Sequence, residues 1–471
     1  MSDYLPPNLL LEILCRLPVI SLLRFRCVSK QWCSLISSPH FISTHLSSPS
    51  SGSNHLLVRH LSFSIRPKKN QENYSVYLNA SKNENLALVK ELNFPFKTRS
   101  GNHFRVVGFC NGLFCLSDDL FGYTYTIVLW NAGIRRSVTL PKPRVHFGPY
   151  GPYMFCLGFG FDERNSDFKV VRIAYLQNEY GAYTVLPPEV ELYSSSTGLW
   201  KDVDPKGIRC KIIEYLYSSV YVNGVIHWVS CVKNEGGGFL NGLLGFDLGD
   251  EKFREMCLPQ SLVRVSPMDL SVRLCGDRIS VIWYEKGRDV GEACDRCGVW
   301  VMDRYGEVES WNKKFVVVLE GGISHAVGFG RNGEFIVEKF VGDLLSYDTE
   351  SKEFKDLGIH GGKDSFFVSE YSESLVLLDG SGGDTTDPPI ASDSEGASSG
   401  LNERALLQKW FCSALFAKLL KDCARTVVGL STVTPEAMHP VVQRWSIQLE
   451  ALYQFGNRLT FPTRTSGTKY K

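Results

Sequence analysis

A strand-and-turn unit recurs through the middle of this chain, and it constrains the fold more than any other feature. The unit is an apolar strand ending in an aromatic or apolar residue, then Asn, Ser or Asp, a polar turn and a second strand. It occurs at Leu78-Asn79, Trp130-Asn131, Tyr193-Ser194, Phe246-Asp247, Met302-Asp303 and Tyr347-Asp348. The spacing of roughly 50 residues leaves room for four strands and their loops in each repeat.

A four-stranded sheet of this kind cannot cover both of its faces alone. Packing the sheets radially around an axis covers the faces and protects the edges, so the repeat predicts a β-propeller. Asn223-Gly224 and Asn332-Gly333 are strong hairpin signals within it. Six repeats predict six blades, with five or seven left open. We expect the last strand, Ser374 to Leu378, to close the ring against Leu56 to Phe63.

The first 47 residues have a different, helical pattern. Leu10, Ile13, Leu14 and Leu17 follow the spacing of one helix face, and Pro18 ends that helix. Ser21 and Ser29 are predicted to cap a second and a third helix. A unit of roughly 40 residues is at the lower limit of independent folding and has more apolar faces than it can bury. We therefore expect it to need a partner.

The chain changes character again after the repeats. Residues 381–400 are rich in Ser, Gly and Asp, which predicts a flexible, disordered linker. Residues 401–471 form a predicted helical tail of unknown role, with an amphipathic stripe that includes Trp410 and Phe411. It docks on the propeller, binds another molecule, or is foreign coding sequence from an unusual gene structure. The predicted fold class is α+β multidomain: all-α residues 1–47, an all-β propeller 55–380, the linker and the tail.

Charge and targeting signals narrow the class of protein. Lys plus Arg number 51 and Asp plus Glu 50, so we expect no nucleic acid and no anionic membrane as partner. Apolar runs such as 316–319 are too short to span a bilayer, and the N-terminus lacks the pattern of a signal peptide. We expect a protein of the cytoplasm, the nucleus or both, whose 14 cysteines are reduced.

Motifs for catalysis or metal binding are weak. Cys294 and Cys297 form a CxxC, but a structural zinc site needs four ligands and no second pair follows. His227 lies in an alternating strand and is expected to be packed or hydrogen-bonded rather than catalytic. No GxSxG, HExxH or dinucleotide fingerprint is present. The sequence therefore predicts no enzyme activity, no cofactor, no metal and no catalytic residue.

The N-terminal segment closely resembles the F-box motif. The matching residues are Leu5-Pro6, Glu12-Ile13-Leu14, Arg16-Leu17-Pro18, SLLRFRCVSK at 21–30, and Trp32. The repeats resemble the F-box-associated, kelch-like propeller of the large plant F-box family, through GFCNGL at 108–113, GFGFD at 158–162, DFKVVR at 167–172, YVNGVIHW at 221–228 and VWVM at 299–302. The resemblance covers roughly residues 4–380. Relatives usually end near Leu378, so residues 381–471 depart from the pattern.

This resemblance implies a non-catalytic substrate receptor of an SCF (cullin-RING) ubiquitin ligase. The F-box would bind the Skp-type linker subunit and, through it, cullin and the RING subunit. By position, the linker contacts would come from Leu5, Pro6, Ile13, Leu14, Leu17, Pro18, Leu22, Leu23, Val28 and Trp32. We expect roughly half of these to serve mainly in holding the helices together.

The propeller would bind a protein substrate for ubiquitination and degradation. Loops carry recognition on rigid scaffolds, so the candidate loops are 117–126, 143–153, 177–188, 232–241 and 285–298. Their aromatic candidates are Tyr123, Tyr125, His146, Phe147, Tyr150 and Tyr153, which could also pack locally. Three alternatives stay open: an F-box protein that binds the linker without ligase activity, a propeller enzyme or sugar binder, and a non-functional locus with an aberrant C-terminus.

Overall fold

The computed structural model describes residues 7–46, 55–65, 68–78, 86–98, 103–118, 125–151, 153–178, 187–212, 219–233, 238–285, 294–330 and 333–377. All of them belong to one compact unit, residues 1–398. The linker and tail predicted for residues 381–471 lie outside the described residues.

Four short helices come first: α1 (Pro7–Cys15), α2 (Val19–Phe25), α3 (Lys30–Ile36) and α4 (Pro39–Leu46). Ser29 caps α3 as predicted, because its hydroxyl oxygen accepts a hydrogen bond from the Trp32 backbone N–H at 3.2 Å. The predicted cap at Ser21 is wrong. The second helix begins at Val19, three residues before the start that a cap at Ser21 implies, because Pro18, with φ −58°, already has the dihedral of a helix entry.

The strands form five hydrogen-bonded sheets. The first contains β1 (His55–Ile65), β2 (Lys68–Leu78), β3 (Ala87–Leu92) and β24 (Phe367–Glu370). The second contains β4 (Arg105–Cys110), β5 (Leu113–Ser117), β6 (Ile127–Asn131) and β7 (Arg136–Thr139). The third contains β8 (Tyr153–Asp162), β9 (Asp167–Leu176), β10 (Glu189–Ser194) and β11 (Leu199–Asp202). A short helix, α5 (Phe147–Tyr150), lies between β7 and β8.

The remaining strands follow the same antiparallel order. The fourth sheet contains β12 (Lys211–Ile212), β13 (Val220–Val222), β14 (Val225–Lys233), β15 (Phe239–Asp247) and β16 (Lys252–Cys257). The fifth contains β17 (Leu270–Cys275), β18 (Arg278–Glu285), β19 (Cys294–Met302), β20 (Trp311–Phe329), β21 (Phe335–Lys339), β22 (Asp343–Tyr347) and β23 (Phe354–His360). Short 3-10 turns cover Pro267–Asp269 and Val308–Ser310.

The seven-stranded sheet is two blades that share one long strand. Strand β20 pairs with β19 over residues 311–318 and with β21 over residues 323–329. Between these two parts stand Gly321 and Gly322, both at φ +83°, a backbone conformation that glycine adopts without strain. Within the described ranges, the five sheets therefore hold six blades, each four strands wide because β12 and β13 pair with the same edge of β14. The innermost strands β4, β8, β13, β17, β20 and β24 each lie beside the innermost strand of at least one neighbouring blade.

The recurring sequence unit has one position in every blade. Leu78, Trp130, Tyr193, Phe246, Met302 and Tyr347 all lie at or next to the end of the third strand. Where the structure describes the polar residue that follows, it begins the turn to the outer strand. Asn131, Asp247 and Asp348 each accept hydrogen bonds on Oδ1 from backbone N–H groups two or three residues on. This Asx-turn chemistry explains the Asn and Asp at these sites.

The ring closes by pairing the two ends of the repeat region. Strand β24 adds antiparallel to β1, with Leu56 opposite Glu370 and Arg59 opposite Phe367. The sequence placed the early partner correctly, but it put the closing strand at 374–378, seven residues too late. Leu375, Val376 and Leu377 instead pack as buried side chains in the core. The apolar run that suggested a strand is thus explained by packing.

Candidate functional site

The helical unit is packed against the propeller on one side. One continuous cluster of buried side chains includes Leu14 and Leu22 from the helices, Cys110 and Leu113 from the second blade, and residues 375–377. Within the helical unit, His45 Nε2 lies 3.0 Å from the Leu17 carbonyl oxygen and so ties α4 to the end of α1. The propeller therefore covers one of the two apolar faces that the sequence left without a partner.

The other apolar face is exposed to solvent. Ile13 is 48% exposed and Val28 63% exposed, although both are aliphatic. Leu9, one turn before Ile13 on the same face of α1, is also exposed, as is Ile20 on α2. The sequence search missed Leu9 and Ile20, although the i, i+4 spacing from Ile13 could have identified the first.

The predicted linker contacts divide into two groups. Leu14 and Leu22 are 1% and 0% exposed, so we revise their role from contact to internal support. The remaining predicted residues are available at the surface to different extents: Ile13, Pro18 and Val28 are exposed, while Leu17, Leu23 and Trp32 are half-buried. The Trp32 ring packs edge-to-face on Phe25 at 5.4 Å. Leu5 and Pro6 lie outside the described residues.

The connections between the propeller strands lie on two opposite faces. Antiparallel strands reverse direction at each connection, so successive connections in a blade lie at opposite ends. In the second blade the first and third connections are tight turns, and the cluster that contacts the helices borders both, through Cys110 and Leu113 at the first and Ile134 in the third. All five candidate recognition loops are second connections or blade-to-blade connections. The strand ends that flank them therefore lie on the face opposite these turns.

One recognition loop is described with its side chains. Tyr125, His146, Phe147 and Tyr150 are all half-buried. The Phe147 backbone N–H donates to the Tyr125 hydroxyl at 2.7 Å, and the Tyr125 and His146 rings meet edge-on at 6.1 Å. The four residues therefore form a partly exposed aromatic surface. Tyr123 lies outside the described residues.

A buried ion pair between Arg172 and Glu191 holds this loop in place through hydrogen bonds. Arg172 Nη1 donates to Glu191 Oε2 at 2.7 Å and to the Val145 carbonyl oxygen at 2.9 Å, and Arg172 Nη2 donates to the Tyr153 hydroxyl at 2.8 Å. Glu191 Oε1 in turn accepts the Arg144 backbone N–H at 2.6 Å. Tyr153 is 1% exposed, so we revise its role from substrate contact to support of the loop.

His227 is a packed propeller histidine, in agreement with the sequence interpretation. It is 1% exposed; its Nδ1 lies 3.3 Å from the Val220 carbonyl oxygen and its Nε2 2.9 Å from the Tyr305 hydroxyl. Burial lowers the pKa of His227 to about 4, so the ring is neutral at pH 7. Cys297, half of the CxxC, is fully buried, and the side chain of Cys294 is outside the described residues.

The sequence search missed a buried cluster of His325, Glu338 and Asp364. Their ligand-type atoms lie within 4.8 Å of one another, and within the described ranges no other group of three His, Cys, Asp or Glu residues does so. Burial opposes a charge on His325, but the neighbouring carboxylates of Asp364 and Glu338 raise its pKa overall. The three residues follow no spacing motif, because propeller topology rather than local sequence brings them together.

In the part of the chain that the structure describes, no helix is long and apolar enough to cross a membrane.

Comparison with known proteins adds the family context. Residues 3–44 match the F-box domain, and residues 64–377 match the F-box associated beta propeller domain. Similar proteins of Arabidopsis thaliana include F-box protein At3g07870, 26% identical over 80% of this chain and 93% of its own length. F-box/kelch-repeat protein At3g23880 is 28% identical over 66% of this chain and 78% of its own length. F-box protein CPR1 is 26% identical over 79% of this chain and 89% of its own length.

Proposed function

Because this chain belongs to the F-box proteins with an F-box associated beta propeller domain, we propose that it is the substrate-recognition subunit of an SCF-type cullin-RING ubiquitin ligase. In this proposal the F-box binds the Skp-type linker subunit, and through it cullin and the RING subunit. The propeller binds a target protein and brings it to ubiquitination and proteasomal degradation.

The exposed apolar face of the F-box is the observation that carries the proposal. Ile13, Ile20 and Val28 are 48%, 53% and 63% exposed on a unit whose other apolar side is buried. Fully burying an exposed aliphatic side chain contributes roughly 1.5 to 3 kcal/mol, so three partly exposed residues together could still contribute a few kcal/mol to docking. The propeller cannot cover this face while it holds Leu14 and Leu22. A separate protein with an apolar groove is the partner that fits.

The mechanism that fits this arrangement is proximity. The helices pack beside tight turns of the second blade, while the aromatic loop with Tyr125 and Phe147 is on the opposite face. A target held there would stand away from the helices that bind the linker, on the face left open for the ubiquitin-charged enzyme to approach. The complex thereby raises the effective concentration of a substrate lysine, and the receptor contributes no reactive group. We accordingly propose a non-catalytic adaptor that acts in the cytoplasm or nucleus.

Co-purification with the linker tests the proposal. The full-length chain is co-expressed with a Skp-type linker as wild type and as the double variant Ile13→Lys with Val28→Lys. Because both side chains are exposed, the variant should fold normally yet recover at least roughly tenfold less linker, since it places two charges in an apolar interface. Leu14→Lys is unsuitable for this purpose, because Leu14 is buried and the substitution would disturb the F-box core.

Leu199→Lys is the matched control. Leu199 is 65% exposed on the outer strand β11, so the change also replaces an exposed aliphatic residue by lysine but lies on the propeller. It should recover as much linker as the wild type. Equal linker recovery by the double variant would refute the assignment of this exposed apolar surface to linker binding. If linker, cullin and RING subunit are all co-expressed, recovery of linker without cullin would instead favour an F-box protein that binds the linker without ligase activity.

A further inference from the structure

The buried cluster of His325, Glu338 and Asp364 stands where the propeller ring closes. His325 on β20 and Glu338 on β21 are direct cross-strand partners. Asp364 lies in the connection between β23 and β24, the strand that closes the ring on β1. The cluster thus joins the sixth blade to the segment that carries the closing strand.

Glu338 is buried without a complete set of partners. Its side chain is 0% exposed, and in the described ranges no residue donates a well-aligned hydrogen bond to Oε2. A buried carboxylate costs several kcal/mol unless a cation is close by. Oε2 lies 3.0 Å from His325 Nδ1, which lies 3.6 Å from Asp364 Oδ1. The three atoms therefore converge on one small region.

These separations are those of ligands around a metal ion. Two ligands bound to Zn²⁺ at about 2.1 Å lie roughly 3.0 to 3.6 Å apart when their bonds meet at about 90 to 120°. We propose that His325, Glu338 and Asp364 bind a divalent transition-metal ion of the Zn²⁺ class through one imidazole nitrogen and two carboxylate oxygens. One nitrogen with two oxygen ligands suits Zn²⁺ and Mn²⁺ better than a thiolate-selective ion.

A second layer of hydrogen bonds orients the two carboxylates. The Asp364 backbone N–H donates to Glu338 Oε1 at 2.7 Å, which leaves Oε2 for the ion. The Ser324 hydroxyl donates to Asp364 Oδ1 at 2.7 Å. Such outer contacts hold ligands in place in metal sites and contribute to affinity.

The ion would fasten the closing segment to the sixth blade. The connection that carries Asp364 is held to β1 by Gly362 N–H, which donates to the Leu61 carbonyl oxygen at 2.8 Å, and by Arg59 Nη1, which donates to the Ser365 carbonyl oxygen at 2.7 Å. On its other side, the connection contacts the sixth blade through Glu338 and Ser324. A metal bound there would link the last blade to the first and stabilise ring closure. This inference does not depend on the ligase proposal.

A proton on His325 competes with a metal ion for this site. A protonated His325 between the two carboxylates would balance one of their two negative charges as an ion pair, and burial and the charge of Arg273 oppose that protonation. The metal needs the neutral imidazole, so metal affinity should rise with pH. The ion-pair reading, in contrast, predicts no metal binding at any pH.

The test titrates the full-length chain, freed of metal by a chelator, with ZnCl₂ and in a parallel series with MnCl₂. Calorimetry gives stoichiometry and affinity, and thermal unfolding gives Tm with and without the ion. Asp364→Asn is the main variant: Asp364 has φ +58°, a conformation that Asn tolerates well, so the backbone should be unchanged. His325→Ala removes the imidazole, and Ser324→Ala removes an orienting hydroxyl.

We expect one ion per wild-type chain at this site and a higher Tm with the ion. Asp364→Asn and His325→Ala should lose that ion and its effect on Tm, and Ser324→Ala should bind roughly tenfold more weakly. His360→Ala is the matched control, because His360 is an exposed histidine of the same blade, 2.8 Å from Asp343. It should bind as wild type does. The proposal is overturned if the wild type binds no stoichiometric ion, or if Asp364→Asn binds it equally well.

Discussion

The side-chain amide of Asn131 holds the carbonyl oxygen of Ser374, with Nδ2 and that oxygen 3.0 Å apart. The same Nδ2 also lies 2.9 Å from the Val376 carbonyl oxygen, and Asn131 Oδ1 accepts the Gly133 backbone N–H. One residue of the second blade therefore makes its own turn and fixes the segment after the closing strand. Because residues 375–377 share a buried cluster with the F-box helices, this contact supports the joint between the two domains.

Replacing Asn131 by Ala should therefore weaken the propeller. The substitution leaves two buried carbonyl oxygens without their donor, at a cost of about 1 to 3 kcal/mol for each unsatisfied group. We expect the urea midpoint of the full-length chain to fall markedly. Asn93→Ala, at an exposed position, is the control and should leave the midpoint nearly unchanged. An Asn131 variant as stable as this control would contradict the role given to the amide.

Gly160→Ala should destabilise the contact between the third and fourth blades. A Cβ at Gly160 would lie 2.3 Å from the Tyr221 ring and 2.8 Å from Leu248. The ring cannot move freely, because the Tyr221 hydroxyl donates to the Phe161 carbonyl oxygen at 2.6 Å. Overpacking of this kind costs about 1 to 3 kcal/mol, which calorimetric unfolding would detect.

Gly238→Ala gives the comparison for that experiment. An added Cβ at Gly238 has no neighbour within 4 Å, and the backbone there is ordinary for other residues. We expect its Tm to match that of the wild type. Similar losses of Tm at both glycines would mean that the close approach at Gly160 is not the cause.

Arg172→Met should loosen the recognition loop. Its removal leaves Glu191 buried without its cation, a change that typically costs about 3 to 5 kcal/mol. It also frees the Val145 carbonyl oxygen and the Tyr153 hydroxyl, so we expect faster amide exchange over residues 143–153. Arg254→Ala removes an ion pair at an exposed arginine, and it should change neither the free energy of unfolding nor the amide exchange of this loop by much. Unchanged exchange in the Arg172 variant would show that the loop is held by other contacts.

The buried His227 should make the propeller less stable in mild acid. Its pKa is about 4 in the folded chain and 6.5 as an ordinary histidine. Between these values the unfolded chain binds a proton that the folded chain does not. Above pH 6.5 the titration of His227 therefore costs the folded chain nothing. As the pH drops from 6.5 toward 4, the free energy of unfolding falls, by roughly 3 kcal/mol in total.

His227→Gln should flatten this part of the pH profile, because glutamine does not titrate. The measurement is the free energy of unfolding in urea at pH 7, 6, 5 and 4.5. His40→Gln, at an exposed position, should leave the slope as in the wild type. A wild-type slope in the His227 variant would assign the acid sensitivity to other groups.

The sequence predicted the blades well because each blade repeats the same local chemistry. The Asn or Asp after the third strand accepts hydrogen bonds that stabilise the turn it begins, and such local hydrogen bonds can be predicted from the sequence. Ring closure was misplaced because β24 and the run at 374–377 are both short and apolar. Only strand pairing between the two ends of the propeller shows that β24, and not the run at 374–377, is the closing strand.

The surface of the F-box was predicted less well for a related reason. Periodicity identifies an apolar face but does not say which molecule covers it. Ile13 and Leu14 are adjacent in sequence, yet the first is exposed and the second is buried. The metal-type cluster was missed because His325, Glu338 and Asp364 come from two strands and a connection, and no local spacing joins them.

Affinity purification of the full-length chain with the proteasome blocked tests the central claim most directly. Wild type and the Ile13→Lys, Val28→Lys variant are purified side by side, and the bound proteins are identified and quantified. We predict that the wild type recovers the Skp-type linker, cullin, the RING subunit and a ubiquitinated target, whereas the variant recovers only the target, without ubiquitin chains. Recovery of none of the ligase subunits by the folded wild-type chain would contradict the account.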